Sequence, residues 1–195
     1  DLTPSQAIIF DLAGTLAVTG LDSDAIRVEA GLPPGRPILE AMATLSAEEQ
    51  ARVAAVLEYH EAVAARESQL YATTVETLMD FHARRIKLAI LTRNSRQSLM
   101  TVLDKHGLGG LFDVLWTRED GAIKPSPEPV LRICQRLGVA PGEAMMVGDY
   151  LFDIQSGAAA GTRTVLFIGD REPPGYAVQA DHTVRRLDQL RELIL

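Results

Sequence analysis

Cysteine is almost absent from this chain. Cys134 stands alone among 195 residues, which excludes an intrachain disulfide and any Cys-x-x-Cys metal or redox pair, and makes the cytoplasm the expected compartment. Long apolar runs are missing as well. Runs such as Ala7 to Phe10 and Leu88 to Leu91 fall far short of the ~20 residues that cross a bilayer, so no membrane association is expected. The first twenty residues lack a basic start followed by a long apolar stretch, so no secretory signal is expected there. Positive charge is scarce: 19 Lys+Arg face 26 Asp+Glu, the net charge is -7, and no block of five basic residues occurs. That balance lacks the electrostatic footprint of a general nucleic-acid binder, so an anionic ligand needs a local positive site. Lysine offers only Lys87, Lys105 and Lys124 for it.

With 47% hydrophobic residues, a chain of this length can bury one sizeable core and carry an insertion. Short apolar runs recur at Ala7 to Phe10, Leu88 to Leu91, Val114 to Trp116, Ala144 to Val147 and Thr164 to Ile168. Each is followed by a polar or glycine-bearing break and then helical spacing, the pattern of an α/β fold with a doubly wound parallel sheet. Ser95 to His106 places Leu99, Val102 and Leu103 on one face and stops at Gly107, and Pro127 to Leu137 stops at Gly138; both stops read as glycine caps. Ser126 before Pro127 reads as an N-cap followed by proline at the first helical position. The first crossover differs. From Leu16 to about Thr73 no strand is expected, only helices broken by Leu32-Pro33-Pro34-Gly35. Ser46-Ala47-Glu48-Glu49 forms a capping box, and Val53, Val56, Leu57 and Val63 give an apolar stripe to about Glu67. The expected organisation is a small all-helical cap over residues 17–73 on a core of residues 1–16 and 74–195.

In open parallel sheets, ligands bind at the carboxyl ends of the strands near a reversal of strand order. Three such ends carry polar residues: Asp11 followed by Leu12-Ala13-Gly14-Thr15, Thr92 after Leu91, and Gly148-Asp149 after Val147, with Asp153 four residues on. Lys124 sits in a fourth loop, Ile123-Lys124-Pro125-Ser126-Pro127. Converging carboxylates repel one another, and a hard cation such as Mg²⁺ relieves that repulsion while binding phosphate oxygens. A threonine hydroxyl and backbone amides can hold non-bridging oxygens, a lysine can stabilise developing charge, and an aspartate can attack phosphorus. Taken singly, such an Asp is more often a turn or cap residue, and Asp153 is suited simply to capping a helix. The ordered conjunction is what favours phosphoryl transfer. A receiver-type signalling domain uses similar residues, but with its acidic pair ahead of the phosphorylated aspartate and without a helical insertion.

Asp11-Leu12-Ala13-Gly14-Thr15-Leu16, Leu91-Thr92-Arg93-Asn94, Lys124-Pro125-Ser126-Pro127-Glu128-Pro129 and Val147-Gly148-Asp149-Tyr150-Leu151-Phe152-Asp153 resemble the four ordered motifs of the haloacid dehalogenase superfamily. Gly107-Leu108, Phe112-Asp113 and Gly157-Ala158-Ala159-Ala160-Gly161 look most like its phosphoglycolate phosphatase-like branch, which has a helical cap after the first motif. The resemblance implies a Rossmann-like core and Mg²⁺-dependent hydrolysis of a small phosphorylated metabolite by a monomer or homodimer. It implies Asp11 as nucleophile and metal ligand, Thr92 and Lys124 as the other catalytic residues, and Gly14, Thr92, Arg93, Asn94 and Lys124 around the phosphate. Asp149, Asp153 and the backbone carbonyl of Ala13 complete the metal set, with Asp153 supporting the shell or orienting Lys124.

Ala13 departs from the pattern. Phosphatases of this family carry there an aspartate that protonates the leaving oxygen and then activates water, and losing such a group typically costs about 10²- to 10⁴-fold in rate. Three readings stand: an engineered change in a working phosphatase, a degenerate homologue that binds a phosphorylated ligand, or another reaction. Phosphonoacetaldehyde hydrolases also have alanine here but rely on a cap lysine, and residues 17–73 contain none. A haloacid dehalogenase would not need the acidic metal pair.

Overall fold

A computed structural model describes residues 4–194. Six strands form one parallel sheet in the order β5-β4-β1-β6-β7-β8: β1 Ala7–Phe10, β4 Lys87–Leu91, β5 Val114–Trp116, β6 Ala144–Gly148, β7 Arg163–Phe167 and β8 His182–Val184. The expected doubly wound α/β fold is what forms. Both faces of the sheet are covered, so its central strands are buried at every position and read as continuous apolar runs. Alternate side chains divide into two layers. Ile8, Phe10, Leu88, Ile90, Met145 and Val147 pack on α4 Thr74–Ala83 and α5 Arg96–His106. Ile9, Ala89, Leu91 and Met146 pack on α6 Glu128–Leu137, where Cys134 is buried as a core residue. On the β7 side, α7 Leu151–Ala160 adds Ile154 against Leu166. Strand β8, His182–Val184, is too polar to stand out in sequence, and it pairs with β7 alone among the described residues.

Between β1 and α4 lie three helices, α1 Ser23–Ala30, α2 Ile38–Ala43 and α3 Ala47–Glu67. The expectation of no strand here is corrected: β2 Ala17–Val18 pairs antiparallel with β3 Gln69–Leu70, clasping the entry and exit of the segment. Two-residue strands are too short to leave a periodic signal in sequence. The capping box at Ser46 forms, with the Glu49 N–H donating to Ser46 Oγ at 3.3 Å and the Ser46 N–H donating to Glu49 Oε2 at 3.3 Å. The α3 stripe packs on α1 and α2 through Ile26, Ala30, Ile38, Val53 and Leu57. Farther along, its buried positions are Glu61, Ala64 and Ala65, so a carboxylate continues the stripe.

Helix α5 starts at N-cap Ser95 and stops at Gly107, as the sequence predicts. The α6 start is corrected by one residue: Pro127 is the N-cap and Glu128 the first helical residue, while Ser126 Oγ accepts the Glu128 N–H at 3.2 Å. Among the described residues, no helix is long and apolar enough to cross a membrane.

Candidate active site

From β1 the chain moves to β4 and β5 on one side and then returns to β6 on the other, so strand order reverses beside β1. Four neighbouring strands, β5-β4-β1-β6, therefore deliver Thr117-Arg118, Thr92, Asp11 and Asp149 to one edge of the sheet. Of the predicted residues, Asp11, Ala13, Thr92, Arg93, Asn94, Lys124 and Asp153 line one cavity of about 450 Å³ between this edge and the helical segment.

Asp11, Asp149 and Asp153 each offer a carboxylate oxygen within 4.8 Å of the other two. Lys124, 2% exposed, lies 3.0 Å from Asp11 Oδ1 and 2.7 Å from Asp153 Oδ1, and also donates to the Leu91 carbonyl at 2.9 Å. Burial alone would lower the Lys124 ammonium, but the carboxylates of Asp11 and Asp153 outweigh it and hold its pKa up at about 12. Burial, and after it the charges of Asp11 and Asp153, pushes Asp149 well above the usual carboxylate range. Asp153 is pushed up to about 6 by burial and the Asp11 charge, against the pull of Lys124. One ammonium thus incompletely neutralises three carboxylates, and all-oxygen donors short of positive charge fit a hard divalent cation such as Mg²⁺.

Asp153 serves two roles that sequence left as alternatives. Its Oδ2 accepts the N–H groups of Asp149 and Tyr150, each at 3.1 Å, capping α7, while its Oδ1 holds Lys124. Thr15 Oγ1 donates to Asp149 Oδ1 at 3.0 Å, and the Leu12 N–H donates to Asp11 Oδ1 at 2.8 Å. Two glycines make room for these acids. Gly14 has φ +85, and a Cβ there would lie 2.3 Å from Asp149 Oδ2. A Cβ on Gly148 would lie 2.2 Å from the Asp153 carboxyl carbon. Gly148→Ala is accordingly expected to displace Asp153 from Lys124 and destabilise the fold by about 1–3 kcal/mol, read as a lower midpoint in urea with unchanged slope. A midpoint equal to that of the parent would contradict this packing.

Thr92 is buried, its hydroxyl accepting the Asn94 N–H at 3.1 Å. The Arg93 guanidinium is engaged by the helical segment. It grips both oxygens of Glu40 in α2 at 2.7 Å, donates to the Lys124 carbonyl at 2.5 Å and stacks over Phe152. A second pair also joins the helical segment to the sheet edge: Arg118 Nη1 donates to both Glu61 oxygens, at 2.9 and 2.7 Å. Burial raises the Glu61 pKa, and Arg118 opposes the rise. Sequence reading missed both residues of this pair. Arg118 was legible from the strand-end rule applied to Val114 to Trp116, and Glu61 as a charge four residues beyond Leu57 on the apolar stripe. The remaining lysines are spent on carbonyls, Lys87 on Leu137 and Lys105 on Arg66 and Ser68, which leaves Lys124 as the lysine lining the cavity among the described residues.

Comparisons with known proteins agree with this architecture. Residues 18–167 match the family described as haloacid dehalogenase-like hydrolase, and the chain belongs to that family. Pyrophosphatase PpaX of Bacillus velezensis is 33% identical over 178 residues, covering 81% of each chain, and PpaX of Halalkalibacterium halodurans is 29% identical over 94% of this chain and 89% of that one. Among solved structures, a HAD phosphatase from Thermococcus onnurineus superposes with a TM-score of 0.71 at 27% identity, over 96% of this chain and 97% of that one. A predicted phosphoglycolate phosphatase from Haemophilus somnus shares the fold at a TM-score of 0.79 and 20% identity over the full length of both. The chain is thus a phosphatase-type enzyme of the haloacid dehalogenase superfamily.

Proposed function

We propose that this chain is a Mg²⁺-dependent phosphatase scaffold for a small phosphate monoester, working in the cytoplasm through an aspartyl-phosphate on Asp11, with turnover crippled by Ala13. The observation that carries this reading is the meeting of Asp11, Thr92, Lys124 and Asp153 on one cavity, with Asp149 in the same carboxylate cluster. Residues 17–73 act as its cap.

In the mechanism, Asp11, Asp149, Asp153 and the Ala13 carbonyl would hold Mg²⁺, whose charge would offset that of the phosphoryl oxygens. Thr92 and the backbone around Asn94 orient the phosphoryl group, assisted by the turn at Gly14. Asp11 attacks phosphorus as the bond to the leaving oxygen breaks, and Lys124 offsets the charge that develops. The leaving oxygen must take its proton from elsewhere, because a methyl group stands where the acid would be. The helical segment shields the cavity from bulk water and restricts it to small substrates.

Calorimetric titration of the chain with inorganic phosphate tests this reading. Binding is expected with Mg²⁺ present and absent with EDTA, and saturation at about 100 times Kd should stabilise the fold by about 2.7 kcal/mol. Equal phosphate binding with and without the metal would sink it. A second reading, a degenerate homologue that holds a phosphorylated ligand without turning it over, is favoured by Ala13 alone.

A further inference from the structure

The cavity is larger than a phosphoryl group requires, and its far side contains features the reaction does not use. Leu21, Ile38, Leu39 and Leu57 of the helical segment line it with hydrocarbon, and Arg118 lines it from the end of β5. The cations around the cavity are already matched by carboxylates: Lys124 by Asp11 and Asp153, Arg93 by Glu40, and Arg118 by Glu61. Arg27, on α1, is held by the Arg36 carbonyl at 2.7 Å and by Asp24 at 2.8 Å.

Arg118 differs in how it is held. All its protein contacts, to Glu61 and to the Arg93 carbonyl at 3.2 Å, are made by Nη1. Its Nη2 and Nε have no acceptor among the described residues, and neither is among the buried side-chain atoms left without a partner, which are Thr77 Oγ1 and Arg163 Nε. The guanidinium of this cavity-lining residue, 13% exposed, therefore has N–H donors without an acceptor among the described residues, and a carboxylate that is 3% exposed fixes it in place. An acceptor placed there gains a charge-assisted hydrogen bond. A second carboxylate there would instead confront Glu61 across a guanidinium whose charge is already balanced.

Resting on the phosphatase reading above, we propose that Arg118, positioned by Glu61, is the specificity-determining residue for the leaving group. It selects phosphate monoesters whose leaving group has an apolar stem and a distal uncharged acceptor, a hydroxyl or carbonyl oxygen, over inorganic pyrophosphate and carboxylate-bearing esters.

Calorimetry on the full chain with Mg²⁺ tests this, using ω-hydroxyalkyl phosphates from ethyl to pentyl, the plain alkyl phosphates of equal length, a carboxyalkyl phosphate, pyrophosphate and inorganic phosphate. At the length that reaches Arg118, the hydroxyl ester is expected to bind about tenfold more tightly than its alkyl and carboxyl counterparts. Arg118→Met alone leaves Glu61 buried and unpaired, so the deciding variant is the double Glu61→Leu/Arg118→Met, which replaces the pair with apolar groups of similar bulk. Its affinity for the hydroxyl ester should fall about tenfold more than its affinity for inorganic phosphate. A uniform loss across all ligands, a preference that survives in the double variant, or tighter binding of pyrophosphate or the carboxyl ester would overturn the proposal while leaving the phosphatase reading intact. Failure of the unsubstituted chain to bind inorganic phosphate would overturn both.

Discussion

Replacing Ala13 by aspartate is expected to raise the turnover of small phosphate monoesters in the presence of magnesium by about 10²- to 10⁴-fold. The backbone at this position is held without help from its side chain. Ala13 bridges to Ala17, the Gly14 N–H donates to the Ala17 carbonyl at 2.8 Å, and the Leu16 and Ala17 N–H groups donate to the Leu12 carbonyl at 2.9 and 3.1 Å. A new carboxyl therefore arrives on a turn that is already built, in the cavity that Asp11 lines. Protonated, it can deliver its proton to the departing oxygen; ionised, it can take one from the water that opens the phosphorylated Asp11. The substitution also adds a fourth carboxylate beside Asp11, Asp149 and Asp153, which already lie within 4.8 Å of one another. Without magnesium the variant should therefore melt below the parent, and with magnesium the gap should narrow. Release of inorganic phosphate, followed across a broad panel of monoesters, reads the first effect and thermal unfolding the second. A panel with no gain on any ester would leave this chain as a ligand-binding homologue.

Much of this site could be read before the fold was known, because each acid follows a short apolar run and a parallel sheet brings such run-ends together. Asp11, Thr92, Asp149 and Lys124 were legible in that way, and so was the helix pair capped by Gly107 and Gly138. Pairings between distant segments were not legible. The guanidinium of Arg93, next to Thr92, is held by Glu40, fifty-three residues away. Glu61 continues the apolar stripe of α3, but its partner could not be read from that stripe, because Arg118 reaches it from the end of β5. The β2–β3 clasp escaped notice because a two-residue strand has no period to detect. Local pattern sets where a side chain stands in its own element, while the partner across the cavity depends on how the elements dock.

Lys124→Met is expected to cost about 3–5 kcal/mol of stability at pH 8, the largest loss from any single change at this site. Among the described residues Lys124 is the one ammonium paired with Asp11, at 3.0 Å, and Asp153, at 2.7 Å, and Asp153 is only 1% exposed. After its removal Asp153 keeps two backbone donors, from Asp149 and Tyr150, but no opposing charge. The sign of the pH dependence follows from the proton. Even beside Lys124, Asp153 is pushed up to about 6 from 3.8, so the folded chain holds that proton more tightly than the unfolded one. Stability from such a group is present below the unfolded value and is lost as pH rises through the folded one. Losing Lys124 moves the folded value higher still, so the deficit against the parent should be largest at high pH, shrink as pH falls toward about 6, and level off below that, where Asp153 is neutral in both proteins. Asp153→Asn in the Lys124→Met background should recover part of the loss at pH 8, because a neutral amide replaces the stranded carboxylate; the two changes are then strongly non-additive. Urea denaturation of the four proteins at several pH values reads every term of this cycle. Additive losses, or a Lys124→Met deficit that does not vary with pH, would mean that Lys124 supports the fold through packing rather than by neutralising these acids.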